Sequence, residues 1–175
     1  AALCDADVIL GNAARRDLPR AVALFMQTHQ RVIDIPTHAR TYEPLAITAF
    51  EGHTRAFVKV QDGCNRFCTY CIIPYARGRV RSRALADLRQ ELEGLAAQGF
   101  CEVVLVGINL TAFGQDTGGN IADAVDTACA VEGIARVRLG SIEPDFLTPD
   151  ILARLAAQKK FCPQFHLALQ SGCDS

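Results

Sequence analysis

The chain has 175 residues, of which half are hydrophobic and 21% are charged, and its formal net charge is −1. This composition can fill a substantial core and excludes a disordered polar chain, whereas near-neutral charge neither indicates nor excludes a nucleic-acid partner. No apolar run is long enough to cross a membrane. From its length and composition we expect a folded α/β protein.

Both ends of the sequence resemble the ends of a fragment. The sequence begins with alanine rather than methionine, and it stops at Ser175 soon after an apolar stretch. We therefore expect it to be a piece of a longer protein.

The first 40 residues predict a strand, a helix and a second strand. Residues 6–10 are apolar except for Asp7 and end at Gly11 and Asn12, which indicates a short buried strand. Residues 16–26 predict a helix with Asp17 as its N-cap and Pro19 in its first turn, and residues 31–35 predict the next strand. This pattern is typical of the end of an α/β unit.

The next segment predicts a linker followed by a strand. Residues 41–53 include Pro44 and Gly52 and show little periodicity, as expected for a linker. Residues 55–60 alternate apolar and basic side chains, which indicates a strand.

Three cysteines follow this strand with the spacing C-x3-C-x2-C, at Cys64, Cys68 and Cys71. Structural zinc sites and protein-bound iron-sulfur clusters are normally closed by four cysteine or histidine ligands. The local set stops at three, and neither His53 nor His166 lies at zinc-finger spacing from it. The pattern predicts a metal or cluster site with one coordination position that has no protein ligand. Because such a site needs reduced thiols, we expect a cytoplasmic protein.

The rest of the chain alternates helices and strands. Ser82 is a candidate N-cap for a helix that ends at Gly99 and carries apolar positions at Leu85, Leu88, Leu92 and Leu95. Further strands are predicted at residues 102–107, 136–141 and 164–169, with helices at residues 121–131 and after Thr148-Pro149-Asp150. Together with residues 55–60 this gives four strands separated by helices, which predicts a parallel βα array.

Polar residues follow three of these strands at their carboxyl ends. They are Gly107 and Asn109, then Ser141 and Glu143, and finally Gln170 and Ser171. Parallel barrels bind ligands at this edge, so we expect the set to contribute to a site, with turn or capping roles as the alternative.

Five arginines lie close to the cysteines in sequence, at Arg66, Arg77, Arg79, Arg81 and Arg83. Alternate side chains of an extended segment share a face, where they could contact RNA phosphates, a cofactor carboxylate or protein acids. A solvated or salt-bridged surface is the alternative.

Four further cysteines occur in or beside apolar elements without paired spacing, at Cys101, Cys129, Cys162 and Cys173. We expect each of them to be a buried structural thiol.

The cysteine segment resembles the radical S-adenosylmethionine (radical SAM) enzymes, whose signature is C-x3-C-x2-C with an aromatic residue directly before the last cysteine. Tyr70 occupies that aromatic position. The wider sequence, over residues 54–64, 72–79 and 81–83, resembles the radical SAM methylthiotransferases. Within them it is most similar to the branch that modifies threonylcarbamoyladenosine in tRNA.

The resemblance implies a fold and a division of the chain. The fold would be α/β, a partial parallel (βα) barrel of radical SAM type that is truncated at its C-terminus. Residues 1–40 would be the C-terminal part of an N-terminal methylthiotransferase domain, residues 41–53 a linker, and residues 54–175 the radical SAM core. Ligands of a second 4Fe-4S cluster would lie upstream, and Cys4, which is outside the matching context, would be a core residue.

The resemblance also implies a chemistry. Cys64, Cys68 and Cys71 would hold a 4Fe-4S cluster whose open iron binds S-adenosyl-L-methionine. Residues in contact with that cofactor would be Tyr70, Gly107, Asn109, Ser141, Glu143 and Gln170, with Gly107 acting through its backbone. The implied reaction adds a methylthio group to C2 of N6-threonylcarbamoyladenosine next to the anticodon of tRNA. A reducing electron donor would be required, and no membrane is involved.

Two alternatives remain open. The substrate could instead be isopentenyl-adenosine in tRNA or an aspartate of a ribosomal protein, although the sequences Ser-Ile-Glu-Pro and Gln-Asp-Gly-Cys-Asn favour the threonylcarbamoyl branch. An alternative of another class is a non-enzymatic iron-sulfur or zinc module.

Overall fold

The computed structural model describes residues 5–37, 39, 41–43 and 54–173, with only the backbone of Phe146. The first part contains strand β1 (Val8–Leu10), a 3-10 turn at Asn12–Asp17, helix α1 (Leu18–Thr28) and strand β2 (Val32–Asp34). The two strands pair in parallel. The predicted strand, helix and strand are therefore confirmed, with Asp17 at the N-cap position of α1. Cys4, His53 and most of the predicted linker lie outside the described residues.

A four-stranded sheet forms the centre of the fold. Its strands are β3 (Ala56–Asp62), β4 (Arg81–Ser82), β5 (Glu102–Gly107) and β6 (Arg136–Leu139), in the spatial order β4-β3-β5-β6. Strands β3, β5 and β6 run parallel, as predicted, whereas the short strand β4 pairs antiparallel with β3 at one edge.

The predicted strand at residues 136–141 is divided in two. After β6, Gly140 donates its backbone N–H to the carbonyl of Leu105 at 2.9 Å, and the chain then enters strand β7 (Ser141–Ile142). Strand β7 pairs in parallel with β8 (His166–Leu167), which is shorter than the predicted strand at residues 164–169. A second small parallel sheet thus follows the first along the chain, and the predicted partial barrel is confirmed.

Four helices accompany these strands: α2 (Ile73–Arg77), α3 (Leu85–Ala97), α4 (Ile121–Cys129) and α5 (Pro149–Ala157). The core lies between the sheet and the three longer helices and includes Leu88, Leu92, Leu95, Val58 and Val103, all at most 1% exposed. Helical spacing brings the three leucines onto one face. Leu85 begins the same helix but is 39% exposed.

Two helix starts differ in how well the sequence predicts them. The Thr148 hydroxyl accepts a hydrogen bond from the N–H of Ile151 at 3.3 Å and caps α5, as predicted. The prediction that Ser82 caps α3 is wrong, because Ser82 belongs to β4 and Ala84 occupies the N-cap position. The Ser82 hydroxyl instead donates to Asp116 and accepts the N–H of Gly114 at 2.7 Å.

Within the described part of the chain, none of the helices combines the length and hydropathy needed to span a bilayer.

Candidate metal centre

The three cysteines lie on one loop that leaves the carboxyl end of β3 and enters α2. Gly63 begins this loop with a φ of 74°, and a Cβ at this position would lie 1.9 Å from the carbonyl oxygen of Arg79. The N–H of Cys64 donates to the carbonyl of Gly78 at 3.1 Å. Glycine is therefore required at position 63, where the loop packs against residues 78 and 79. This contact fixes the position of the Cys64 backbone.

The three thiols differ in exposure. Cys64 is buried, Cys71 is half-buried and Cys68 is exposed, and none of them is in a disulfide. Among the residues described, no three side chains of the His, Cys, Asp or Glu type are gathered closely enough for a single metal ion. This gives no support to a mononuclear zinc site.

The donor set fits an iron-sulfur cluster better. In a cubane each thiolate binds a different iron, so the three sulfurs need not meet at one atom. Thiolates are also the soft ligands that iron-sulfur clusters use. The residues present therefore fit a cluster with three protein ligands.

The Cys64 sulfur has two hydrogen-bond donors. The backbone N–H of Arg66 lies 3.4 Å from it, and the side-chain Nδ2 of Asn109 lies 3.8 Å away. Thr111 donates its hydroxyl to Oδ1 of Asn109 at 3.1 Å, which turns the amide nitrogen toward the sulfur. Hydrogen bonds to cluster sulfurs stabilise the thiolate and influence the reduction potential. The structure thus places Asn109, predicted as a cofactor contact, against a cysteine.

Gln61 is a buried residue of the Gln-Asp-Gly-Cys-Asn motif, and its structural role is not predicted by the sequence. Its Nε2 donates to the carbonyls of Asp62 and Gly63 at 2.9 and 2.7 Å, and its Oε1 accepts the N–H of Asn109 at 2.8 Å. A Cβ on Gly107 would lie 2.9 Å from that Oε1. Gln61 therefore joins the start of the cysteine loop to the turn after β5, and Gly107 provides the space for it.

Asp62 is the second residue of this motif whose structural role the sequence does not predict. Its side chain is 5% exposed and has four cationic neighbours. They are Lys59 at 2.6 Å, Arg77 at 3.3 Å, Arg81 at 3.5 Å and Arg15 at 3.7 Å. Burial by itself would raise the pKa of Asp62. The hydrogen bond and charge of Lys59, the N–H of Gly63 and the charge of Arg77 outweigh it and lower the pKa below the usual 3.8. In the sequence, the polar residues Gln61 and Asp62 at the end of strand β3 are the feature that could have indicated such a role.

The lowered pKa of Asp62 leads to a prediction about acid stability. Because its folded pKa lies below the unfolded value, the carboxylate stabilises the fold above about pH 4 and loses this effect as the pH falls through the folded pKa. We expect Asp62→Asn to lower the free energy of unfolding by about 1.5–3 kcal/mol at pH 7, the range for hydrogen bonds to charged groups. The difference should shrink at pH 3.

Urea unfolding at the two pH values measures this, with Asp5→Asn at an exposed position as the control. An equal loss of stability at pH 3 and pH 7 in the Asp62 variant would contradict the assignment.

Two further contacts join the cysteine loop to the second small sheet. Arg66 lies 3.1 Å from Glu143 and also pairs with Asp145, and this bond lowers the pKa of the Asp145 carboxyl. The Tyr70 hydroxyl donates to Oε1 of Gln170. The structure thus brings Tyr70, Glu143 and Gln170 to the edge that carries the cysteines. Ser141 is exposed on β7, one residue before Ile142. Contact of these residues with a cofactor stays a prediction.

The arginines near the cysteines contact protein groups. Arg66, Arg77 and Arg81 pair with acids as described, and Arg83 pairs with Glu91 in the interior. Arg79 instead lies over the ring of Phe67, with its guanidinium carbon 4.6 Å from the ring centroid. Of the partners considered for these side chains, protein carboxylates are the ones observed for four of the five.

The prediction that the other cysteines are buried thiols is only partly confirmed. Cys129 is buried, and desolvation raises the pKa of its thiol to about 11. Cys162 is half-buried. The prediction is wrong for Cys101 and Cys173, which are exposed because the first precedes β5 and the second follows the last strand.

A cavity of about 630 Å³ lies beside Asp62 and its cationic neighbours. It is lined on one side by the end of β1, the following 3-10 turn and residues 41–43, and on the other by α2, Asp62 and Arg81.

Comparison with known proteins assigns this arrangement to a family. The sequence model of the radical SAM superfamily matches residues 58–175, which begin within β3 and include all three cysteines. In fold, the chain is similar to the radical S-adenosylmethionine methyltransferase TsrM from Kitasatospora setae. The TM-score is 0.52 at 20% identity over 65% of this chain and 22% of that one.

Several relatives are similar in sequence. The threonylcarbamoyladenosine tRNA methylthiotransferase MtaB of Chlamydia pneumoniae is 44% identical over 135 residues, which are 77% of this chain and 32% of the relative. MtaB of Aquifex aeolicus is 36% identical over 98% of this chain and 42% of its own length. The tRNA-2-methylthio-N(6)-dimethylallyladenosine synthase of Carboxydothermus hydrogenoformans is 36% identical over 95% of this chain and 38% of its own.

The chain thus spans between about a third and two fifths of these curated relatives. The superfamily match covers more than half of the chain, and it begins in the strand from which the cysteine loop extends. The chain therefore belongs to the radical SAM superfamily.

Proposed function

We propose that the protein to which this chain belongs is a radical SAM tRNA methylthiotransferase that acts on N6-threonylcarbamoyladenosine next to the anticodon. The observation that carries the proposal is a loop with three free thiols at the carboxyl edge of a parallel sheet. This loop occurs in a chain whose relatives are named as methylthiotransferases of tRNA adenosines. The proposed product carries a methylthio group at C2 of the adenine.

In this proposal Cys64, Cys68 and Cys71 would hold a 4Fe-4S cluster and leave one position without a protein ligand for S-adenosylmethionine. When bound, the cluster would supply the one-electron reductive chemistry that cleaves this cofactor. The protein contributes binding, orientation and exclusion of water. The residues that would contact the cofactor are Tyr70, Asn109, Ser141, Glu143 and Gln170, and Gly107 would approach it through its backbone.

The contacts of the site support these roles. Gln61 and Asn109 connect the cysteine loop to the turn after β5, so the two polar strand ends keep a fixed spacing. Arg66 and Tyr70 connect the same loop to the segments after β7 and β8. Because catalysis depends on the distance between reacting groups, a loop braced on both sides suits a reaction that must be confined to one place.

The relatives named for N6-threonylcarbamoyladenosine favour that substrate over isopentenyl-adenosine. Identity reaches 44% for one of them over 77% of this chain, whereas the other is 36% identical, as is the dimethylallyladenosine synthase. We further propose that the sulfur comes from a second 4Fe-4S cluster upstream of this chain. A reducing donor would supply the electrons, and the protein would act in the cytoplasm, where tRNA is modified.

Mass spectrometry of tRNA nucleosides from cells that lack the full-length protein tests the proposal. We expect the methylthio derivative of threonylcarbamoyladenosine to disappear and its unmodified precursor to accumulate. Wild-type full-length protein should restore it, and Cys64→Ser should not. An unchanged level of the derivative would refute the substrate, and loss of the isopentenyl derivative alone would favour the alternative branch.

A further inference from the structure

Arg15 precedes the region matched by the superfamily model, yet it reaches the base of the cysteine loop. It lies in the 3-10 turn between β1 and α1. Its guanidinium donates to Glu43 through Nε at 3.1 Å and Nη2 at 2.8 Å, and the same Nη2 lies 3.7 Å from Asp62. The Arg15 side chain therefore connects the first unit, which comprises β1, the 3-10 turn, α1 and β2, to Asp62, two positions before Cys64.

Asp62 can receive this contact because its carboxylate is already fixed. The N–H of Gly63 donates to one of its oxygens at 2.8 Å, and Lys59, Arg77 and Arg81 surround it. These partners come from β3, α2 and β4. A buried carboxylate with several cations is costly to displace, so it provides a fixed point on the cysteine-bearing half of the molecule.

Among the described residues, polar contacts join residues 12–43 to the cysteine-bearing half of the molecule at this place. The cavity of about 630 Å³ separates the 3-10 turn from α2. Other contacts across it are polar: Nδ2 of Asn12 donates to the carbonyl of Ala76 at 3.1 Å, and the Tyr42 hydroxyl donates to the carbonyl of Lys59 at 2.7 Å. Directional polar contacts specify one relative position, whereas a loosely packed boundary would permit several.

We propose that Arg15 is a positioning residue, which holds the segment before the barrel in register with the cysteine loop through Asp62. This inference rests on the proposed function, in which sulfur from the upstream part must reach the place where S-adenosylmethionine is cleaved. Loss of the register leaves cleavage possible, because Cys64, Cys68 and Cys71 are untouched. Without the register, cleavage of S-adenosylmethionine is no longer coupled to methylthio transfer. More cofactor is therefore consumed for each methylthio group delivered.

The test compares variants of the full-length protein with its clusters reconstituted. For each variant, 5′-deoxyadenosine and methylthio-modified tRNA are measured in one reaction. We expect Arg15→Gln to raise the ratio of 5′-deoxyadenosine to modified tRNA by about tenfold or more, since a misplacement of about 1 Å can cost a reaction about 100-fold. Arg15→Lys, which keeps the charge, should restore part of the coupling.

Arg20→Gln is the matched control, because Arg20 is an exposed arginine of α1 in the same unit and its replacement changes the charge equally. Its ratio should equal that of the wild type. An unchanged ratio in Arg15→Gln, or a parallel fall of both products, would overturn the inference.

A second measurement needs no cluster. In the apo-protein, the shifts in unfolding midpoint of Arg15→Gln and Asp62→Asn should not add, and the double variant should lose less than the two single variants together. Additive shifts would contradict the contact. If wild-type protein cleaves S-adenosylmethionine but makes no methylthio product, the proposed function fails, and this cycle still decides whether Arg15 is coupled to Asp62.

Discussion

Cys64→Ser is expected to abolish incorporation of the cluster and to lower cleavage of S-adenosylmethionine by more than about 100-fold. Replacement of groups that only support a metal ligand costs roughly 10- to 100-fold, so loss of a ligand should exceed that. Cys64 is buried and its sulfur accepts hydrogen bonds from Arg66 and Asn109, which hold it in one position at the start of the loop. A serine hydroxyl is a poor substitute for a soft thiolate.

The measurement is the iron and acid-labile sulfide content after anaerobic reconstitution, together with the yield of 5′-deoxyadenosine. Cys101→Ser is the control, because Cys101 is exposed and lies outside the loop. It should bind as much iron as the wild type. Equal losses in the two variants would mean that the loop has no special role.

Gly63→Ala is expected to displace the cysteine loop and to destabilise the fold by roughly 2–5 kcal/mol. The left-handed φ of 74° costs a residue with a Cβ about 1–2 kcal/mol. Overpacking against the carbonyl of Arg79, which would lie 1.9 Å away, contributes about 1–3 kcal/mol more. Since the loop cannot keep its path, iron incorporation should fall together with stability.

Gly99→Ala separates the two causes. Gly99 has a φ of 92°, but a Cβ there would meet nothing within 4 Å. This control should therefore show only the backbone cost, about 1–2 kcal/mol, with normal iron content. Urea unfolding and iron analysis measure both quantities. If the two alanine variants were equally stable, the close approach of Gly63 to Arg79 would be wrong.

The sequence predicted elements well where the signal is local. Strand β5 has the predicted bounds because the apolar run of residues 103–106 is limited by a charged residue, Glu102, on one side and by Gly107 on the other. Thr148 followed by Pro149 marks the start of α5 for the same reason, since a cap and its partner lie three residues apart. The cysteine spacing is also local, which is why the candidate site was found before its surroundings.

What the sequence did not predict depends on contacts between distant residues. Gln61 reaches Asn109 across 48 positions, and Arg15 reaches Asp62 across 47. No periodic pattern in the sequence predicts such long-range pairs. The sequence predicts Ser82 as a helix cap because serine is a common capping residue and precedes the apolar positions of α3. In the structure Ser82 instead belongs to β4, which pairs with β3, and its hydroxyl donates to Asp116. The exposed Cys101 and Cys173 show the same limit, since a neighbouring apolar run does not establish burial.

In the proposed function, a cluster on Cys64, Cys68 and Cys71 would keep one iron open for S-adenosylmethionine. Electron paramagnetic resonance of the reduced, reconstituted full-length protein tests it, with spectra recorded before and after the cofactor is added. We predict that addition changes the spectrum and that 5′-deoxyadenosine forms, and that both effects are absent in Cys64→Ser. An identical spectrum with and without the cofactor, with a full complement of iron and no cleavage, would contradict the claim.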